Sequence, residues 1–201
     1  MSTLLKINTS IFSDKGESSQ LADQYVAAWQ AKNPDGKVVS RDLASDPIPH
    51  LDAARFLAFV AAPEERTAAQ QAVVAFSDAL IAELKAADEV VIGLPLYNFG
   101  VPSTFKAYFD HVSRAGVTFS FTEAGPVGLL DDKKVIVFAT RGGYYANTPK
   151  DTQTAFVKNF FSLIGITQVE FIYAEGLNVG DAAKAAALSS AQEKLAQRIA
   201  A

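Results

Sequence analysis

Glu89-Val90-Val91-Ile92-Gly93-Leu94, running into Pro95-Leu96-Tyr97-Asn98-Phe99-Gly100, is the stretch on which the reading of the fold turns. Val90, Val91, Ile92 and Leu94 make its first half almost wholly apolar, and proline then ends the run. A short apolar run closed by turn residues reads as a strand buried on both faces of a parallel sheet. A second run, Lys134-Val135-Ile136-Val137-Phe138-Ala139, is built the same way and ends in Thr140-Arg141-Gly142-Gly143. Both turn segments then fall at the carboxyl ends of strands, where open α/β sheets bind ligands.

Outward from these two runs, strands and helices alternate. Leu4–Asn8 reads as a first strand, and Ser18–Ala31 as a helix with Leu21, Tyr25, Ala28 and Trp29 on one face. Asn33-Pro34-Asp35-Gly36 is a turn into an edge-like strand, Lys37–Leu43. An irregular segment, Asp46-Pro47-Ile48-Pro49-His50, leads to a helix over Ala53–Val60. Glu64–Ala86 reads as one long helix burying Val73, Phe76, Leu80 and Leu84. Val90–Leu94, the most hydrophobic strand, is expected at the centre. Pro102-Ser103 opens a helix carrying Phe105, Tyr108, Phe109 and Val112. A glycine-rich excursion, Gly116–Leu130, precedes the fourth strand. Thr152–Ile164, Gln168–Ala174 and Ala182–Ala200 read as helix, strand and closing helix. Five strands alternating with helices imply a doubly wound α/β fold, a parallel sheet with helices on both faces. Ligand loops after the first, third and fourth strands favour the flavodoxin-like order 2-1-3-4-5.

At 201 residues the chain is expected to form one domain, 1–201, with a sizeable core. A net charge of −4 with no basic stripe argues against nucleic acid as a partner. Without cysteine there is no disulfide, thiolate nucleophile or zinc-thiolate site. His50 and His111 are in no metal-ligand spacing, so no metal is expected. The stretch from Met1 to Lys6 lacks the pattern of a secretory signal, and no apolar run reaches the roughly 18 residues of a membrane span. A soluble, cytoplasmic protein without membrane association is the expectation.

Three loops carry the chemistry. After the first strand, Thr9 to Ser19 is rich in hydroxyls and feeds a helix; Ser10, Ser18 and the amides around Glu17 form a ready site for a phosphate monoester. The plainer reading makes Ser18 an ordinary helix cap. The loop is not a Walker loop, since no Gly-Lys-Ser/Thr follows, and Gly-x-Gly-x-x-Gly occurs nowhere. In the second loop, Tyr97 and Phe99 suit the border of a flat ring such as a flavin, with the Asn98 amide bonding its polar edge. Gly142 and Gly143 let backbone amides approach the same edge. The plainer readings are core aromatics, a turn asparagine and a surface Arg141.

Over nearly its whole length the chain resembles the FMN-dependent NADH-azoreductase family, a branch of the flavodoxin-like NAD(P)H:quinone reductases. The resemblance is carried by Pro95 to Phe99, by Lys106-Ala107-Tyr108-Phe109-Asp110, by Arg114 to Phe119 and by Lys133 through Gly143. Gly165-Ile166-Thr167 and Ala174-Glu175-Gly176 add to it. It implies bound FMN, a homodimer, and ping-pong transfer from NADH or NADPH to a quinone or azo acceptor. Carried over by position, FMN contacts fall on Ser10, Gly16, Glu17 and Ser18, on Leu96, Tyr97, Asn98 and Phe99, and on Thr140, Arg141, Gly142 and Gly143. Leu96 stands where methionine is common in the family, Gly16 where a hydroxyl residue is, and Thr140 where serine is. Some relatives place a histidine near Tyr145.

Both substrates are expected to stack in turn on one flavin face, beside Phe119, Phe121, Tyr144 and Tyr145, some of them reaching over from a second subunit. No residue stands out as a general acid; water or Tyr145 delivers the proton. Two other functions fit less well: a quinone reductase with little azo activity, and a one-electron flavodoxin-type carrier, which would be more acidic. A flavin-free receiver module would need acidic residues where the chain has Asn8-Thr9-Ser10.

Overall fold

A computed structural model describes residues 2–200; Met1 and Ala201, the ends of the expected domain, lie outside the described residues. The chain runs β1 (Thr3–Asn8), α1 (Glu17–Lys32), β2 (Lys37–Asp42), α2 (Ala53–Val60), α3 (Ala68–Ala86), β3 (Glu89–Pro95) and α4 (Ser103–Val112). It continues through β4 (Phe119–Thr122), β5 (Gly125–Gly128), β6 (Lys134–Thr140), α5 (Thr152–Leu163), β7 (Val169–Ala174) and α6 (Asp181–Ala200). The main sheet has the order β2-β1-β3-β6-β7, all parallel. Because a hairpin takes the numbers four and five, this is the spatial order 2-1-3-4-5 expected from the loops, with β3 at the centre and β2 at an edge.

Alternation along the strands divides the core in two. Leu5, Ile7, Val90, Ile92, Val135 and Val137 face one side and meet Leu80 and Leu84 of α3, Phe105 and Tyr108 of α4, and Val157 and Phe161 of α5. Leu4, Val91, Ile136, Phe138 and Ile172 face the other, under Leu21, Tyr25 and Trp29 of α1 and Ala191 and Leu195 of α6. Helices therefore cover both faces. One close contact lies at Gly93, where a Cβ would come within 2.8 Å of the Ser18 carbonyl oxygen. The absence of a side chain at Gly93 is what lets the first turn of α1 settle onto the middle of β3.

Two expectations need correction. Glu64–Ala86 is not one helix: Pro63–Glu65 forms a short 3-10 turn, Arg66 is extended, and α3 starts only at Ala68. The cause is a capping box. Thr67 Oγ1 accepts from Gln70 N and Gln70 Oε1 accepts from Thr67 N, at 3.3 and 2.9 Å, which fixes the helix start by satisfying its free amides. Its buried face is Val74, Ser77, Leu80, Ile81 and Leu84, so Val73 and Phe76 are only half-buried. The excursion at Gly116–Leu130 contains an antiparallel hairpin, β4–β5, pairing Phe119 with Gly128 and Thr122 with Gly125. Four-residue strands without sustained alternation leave little periodic signal in the sequence.

Candidate functional site

The loops that follow β1, β3, β6 and β7 meet at one end of the sheet and enclose a cleft of about 260 Å³. Ser10, Gly16, Glu17 and Ser18 line it from the first loop, Leu96 and Tyr97 from the second, and Thr140, Arg141 and Gly142 from the third. Nine of the residues singled out in the sequence thus come together. Asn98 and Phe99 form the exposed tip of the second loop, and Gly143 lies just beyond the lining.

At the first loop, α1 begins after Gly16 with no side-chain cap. The first amides of a helix have no partner within it, so those of the first turn are open to an anion. Ser18 is not the cap; it is the second helical residue, 1% exposed, and its Oγ has no hydrogen-bond partner among the described residues. An unpartnered hydroxyl is costly to bury unless a ligand completes it. Ser10 Oγ accepts from Phe12 N at 3.2 Å, and a Cβ on Gly16 would collide with the Ser10 side chain. Gly16 therefore stands where it does because Ser10 fills the space a side chain would take.

The second loop is a tight turn: Tyr97 N donates to Gly100 O and Gly100 N to Tyr97 O, at 3.2 and 2.9 Å. Its two central residues, Asn98 and Phe99, have φ of 49° and 62°. That is the type I′ conformation, unfavourable for a bulky side chain. From α5, the Gln153 amide donates to Pro95 O and Gly100 O, and Thr152 Oγ1 donates to Phe99 O. The Tyr97 hydroxyl lies 3.4 Å from both Ser10 Oγ and Ile11 N, tying this loop to the first.

At the third loop, the carbonyls of Gly142 and Gly143 accept from Asn178 N and Gly176 N, while neither glycine amide donates to protein among the described residues. A Cβ on Gly142 would come within 2.6 Å of Asn178 Nδ2. Arg141 behaves differently from its neighbours. Its side chain is fully buried and bonds Asp151 at 2.8 Å, Glu175 at 3.3 Å and Thr154 at 3.1 Å, with Tyr173 beneath the guanidinium. Burial alone would raise the Asp151 carboxyl, but hydrogen bonds from Arg141 and Thr154 outweigh it and hold it below the ordinary carboxylate range. Glu175 Oε1 also accepts from Tyr145 N and Ala146 N, at 2.7 and 2.8 Å. The guanidinium thus braces the loop from inside through its two terminal nitrogens, while its buried Nε has no partner among the described residues.

The four aromatics expected around the acceptor separate within one chain. Tyr145 is half-buried, lies against Phe99 with ring centroids 5.4 Å apart, and its hydroxyl sits over Gly143. Tyr144 is exposed beside Gly176. Phe119 and Phe121 lie elsewhere, in an apolar groove between the hairpin and α2 with Phe56, Phe59 and Val60. The wider hollow beside Gly100, lined by His50, Lys106 and Phe156, takes none of the three loops' polar groups.

An uncapped helix start with a buried hydroxyl, an aromatic turn and open glycine amides stand together at one end of a 2-1-3-4-5 sheet. The family described as having a flavodoxin-like fold matches residues 2–199. The chain belongs to it. Among flavodoxin-like relatives, an "FMN-dependent NADH:quinone oxidoreductase" of Cellvibrio japonicus is 55% identical over 201 residues, all of both chains. One of the same name from Alcanivorax borkumensis is 55% identical over 96% of this chain and 97% of its own. The crystal structure of an FMN-dependent NADH-azoreductase from Bacillus anthracis in complex with FMN superposes with a TM-score of 0.90, at 26% identity, over 100% of this chain and 98% of that one.

The sequence reading passed over Phe12, Pro95, Leu177, Asn178 and Lys184, which also line the cleft. Leu177 and Asn178 follow the carboxyl end of β7, so the rule that found the other loops would have found them. Lys184 has no such signal, because a lysine in a surface helix is ordinary.

Proposed function

We propose that the chain is an FMN-dependent NADH:quinone oxidoreductase that also reduces azo compounds, passing two electrons from NAD(P)H to the acceptor in a ping-pong cycle. The observation that carries this is the buried, unpartnered Ser18 hydroxyl in the same cleft as the open amide of Gly142, with the open amide of Gly143 just beyond its lining. One end of the cleft suits a phosphate and the other the edge of a planar ring, and FMN has both. The likeness to relatives of that name along the full chain supports the same reading.

The cleft residues fit the cofactor. The first turn of α1 with Ser10 and Ser18 would hold the phosphate. Leu96 to Phe99 would border the ring, Gly142 and Gly143 would supply amides to its polar edge, and Thr140 and Arg141, whose amide is taken by Ala174 O, would line the floor beneath them. FMN, when bound, supplies the acceptance and release of hydride. The protein's own part is positioning: Gln153 and Thr152 fix the Tyr97–Gly100 turn, and Arg141 with Glu175 fixes the Gly-Gly-Tyr-Tyr segment. Water or Tyr145 Oη delivers the acceptor's proton. The whole chain acts as one domain, in the cytoplasm, as a homodimer. Phe56, Val60 and Phe121 are each more than half exposed along the groove between the hairpin and α2, which suits coverage by a second copy. Phe119 and Phe121 would then complete the acceptor pocket from the partner side.

The decisive experiment is spectral and kinetic. The purified protein should be yellow or reconstitute with FMN, and should oxidise NADH with both a quinone and an azo dye, giving parallel double-reciprocal plots. A colourless protein that takes up no FMN sinks the proposal. A flavin-loaded protein that oxidises NADH with no acceptor is an electron carrier instead, and one that turns over quinone alone is a quinone reductase without azo activity.

A further inference from the structure

The cleft contains an ion pair that neither the hydroxyls nor the amides of the phosphate cradle account for. Lys184, in the first turn of α6, lines the cleft together with Ser10, Gly16, Glu17 and Ser18, and its Nζ pairs with Glu17 Oε1. Glu17 is the first residue of α1. Its carboxylate therefore stands at the helix end that would receive an anion. A lone carboxylate suits that end of the helix dipole. It opposes a phosphate monoester, which carries about −1.5 to −2 charges at neutral pH.

Among the described residues, two cationic side chains line the cleft, Arg141 and Lys184. The Arg141 charge is already balanced by Asp151 and Glu175 in the interior. Lys15 belongs to the first loop in sequence but is not among the lining residues. Among the described residues that line the cleft, Lys184 is left as the one cation not held by two largely buried carboxylates, and it arrives from a different element than the hydroxyls do. Its side chain is 42% exposed, so the ammonium is free to turn from Glu17 to a neighbouring anion, while α6 stays anchored through Ala191 and Leu195. The hydrogen bond and charge of Glu17 raise its pKa above the ordinary lysine value, which keeps it protonated. The buried Ser18 hydroxyl without a partner is the independent sign that a ligand completes this corner.

We propose that Lys184 is the phosphate-recognising cation of the cofactor site: its ammonium cancels the Glu17 carboxylate and faces the phosphate, so that the cleft selects FMN over riboflavin. This rests on the reading of the cleft as an FMN site.

The test uses full-length apoprotein of the wild type, Lys184→Gln and Lys184→Arg, titrated separately with FMN and riboflavin by quenching of flavin fluorescence, at low and high salt. Lys184→Gln is expected to weaken FMN about ten-fold or more while changing riboflavin by less than about two-fold, as loss of one charge-assisted contact predicts. Lys184→Arg should keep most of the FMN affinity, and the salt dependence of FMN binding should flatten in Lys184→Gln. Equal weakening of both flavins would mark Lys184 as structural, and unchanged FMN affinity would remove it from recognition; either result overturns the proposal. Wild-type protein that binds neither flavin overturns the cofactor reading, and this one with it. Wild-type protein that binds FMN beside an unaltered Lys184→Gln overturns the role of Lys184 alone.

Discussion

Asn98 and Phe99 hold left-handed backbone at the tip of a loop whose two ends are locked by Gln153 and Thr152. Asparagine visits that region easily; phenylalanine does not, and it persists only because the surroundings impose it. The strain places the Phe99 ring in solvent, nearly half exposed, against Tyr145. A loop selected for stability alone would carry glycine there. The turn makes a specific demand on position 98. Asn98→Val puts a β-branched side chain at φ 49° and should destabilise the protein by about 1–2 kcal/mol, with Asn98→Gly close to neutral, in urea titrations of the apoprotein. Equal effects of valine and glycine would show that the turn is not held in this conformation. The aromatic and amide character of these residues was legible in the sequence. Their backbone geometry was not, because Asn-Phe is not a recognisable type I′ pair.

Among elements, the Arg141 network does what no single loop can. It joins the end of β6 to the start of α5 through Asp151 and to the end of β7 through Glu175, and Glu175 in turn holds the amides of Tyr145 and Ala146. Arg141→Gln would leave two largely buried carboxylates without a counter-charge. Breaking a buried pair from one side costs about 3–5 kcal/mol, and the fall in denaturation midpoint should be of that size. A fall under about 1 kcal/mol would put the pair in the class of exposed salt bridges. Loosening of the Gly142–Tyr145 segment should weaken FMN binding in the same variant. The sequence marked Arg141 as a ligand candidate or a surface residue; its side chain is buried in an ion-pair network and is not on the surface. Residues separated by ten and thirty-four positions supply its partners, and no local pattern records such distant pairing. The start of α3 is the opposite case. Thr67-Ala68-Ala69-Gln70 spells a capping box, so that boundary was readable from four consecutive residues.

At the scale of the whole molecule, α2, α3 and α4 meet around His111, which is fully buried with Phe59 and Phe76 edge-on to its ring at 5.9 and 5.7 Å. Its Nδ1 bonds Ala107 O at 2.9 Å and its Nε2 has no partner among the described residues. Burial pushes its pKa below the ordinary value, against the pull of the Ala107 carbonyl and of Asp110 and Asp52, with Arg55 adding to the push. The folded protein therefore keeps this ring neutral where the unfolded chain, with a pKa near 6.5, takes up a proton. Stability from this group is complete above about pH 6.5 and is lost as pH falls toward the lowered value. Urea unfolding at about pH 7.5 and about pH 5.5 should show the wild type weaker in acid. His111→Gln should be less stable at both but with a shallower difference between them. An unchanged difference would assign the acid sensitivity to other groups.

Apolar runs at Val90–Leu94 and Val135–Ala139, with helices between, sufficed to determine a parallel sheet, its central strand and the end at which the loops enclose a cleft. They did so because burial on both faces forces near-continuous hydrophobic composition, which one sequence shows directly. The hydroxyl loop, the Tyr-Asn-Phe turn and the Arg-Gly-Gly turn were legible for a related reason: strand ends are the only places where such residues follow such runs. What the tertiary structure decided is where side chains point and what they meet. It turned Arg141 inward, left Ser18 without a partner, parted Phe119 and Phe121 from Tyr144 and Tyr145 within one chain, and brought Lys184 across from α6 to Glu17. These outcomes depend on packing between elements far apart in the chain, where space and charge are settled only once the helices are on the sheet.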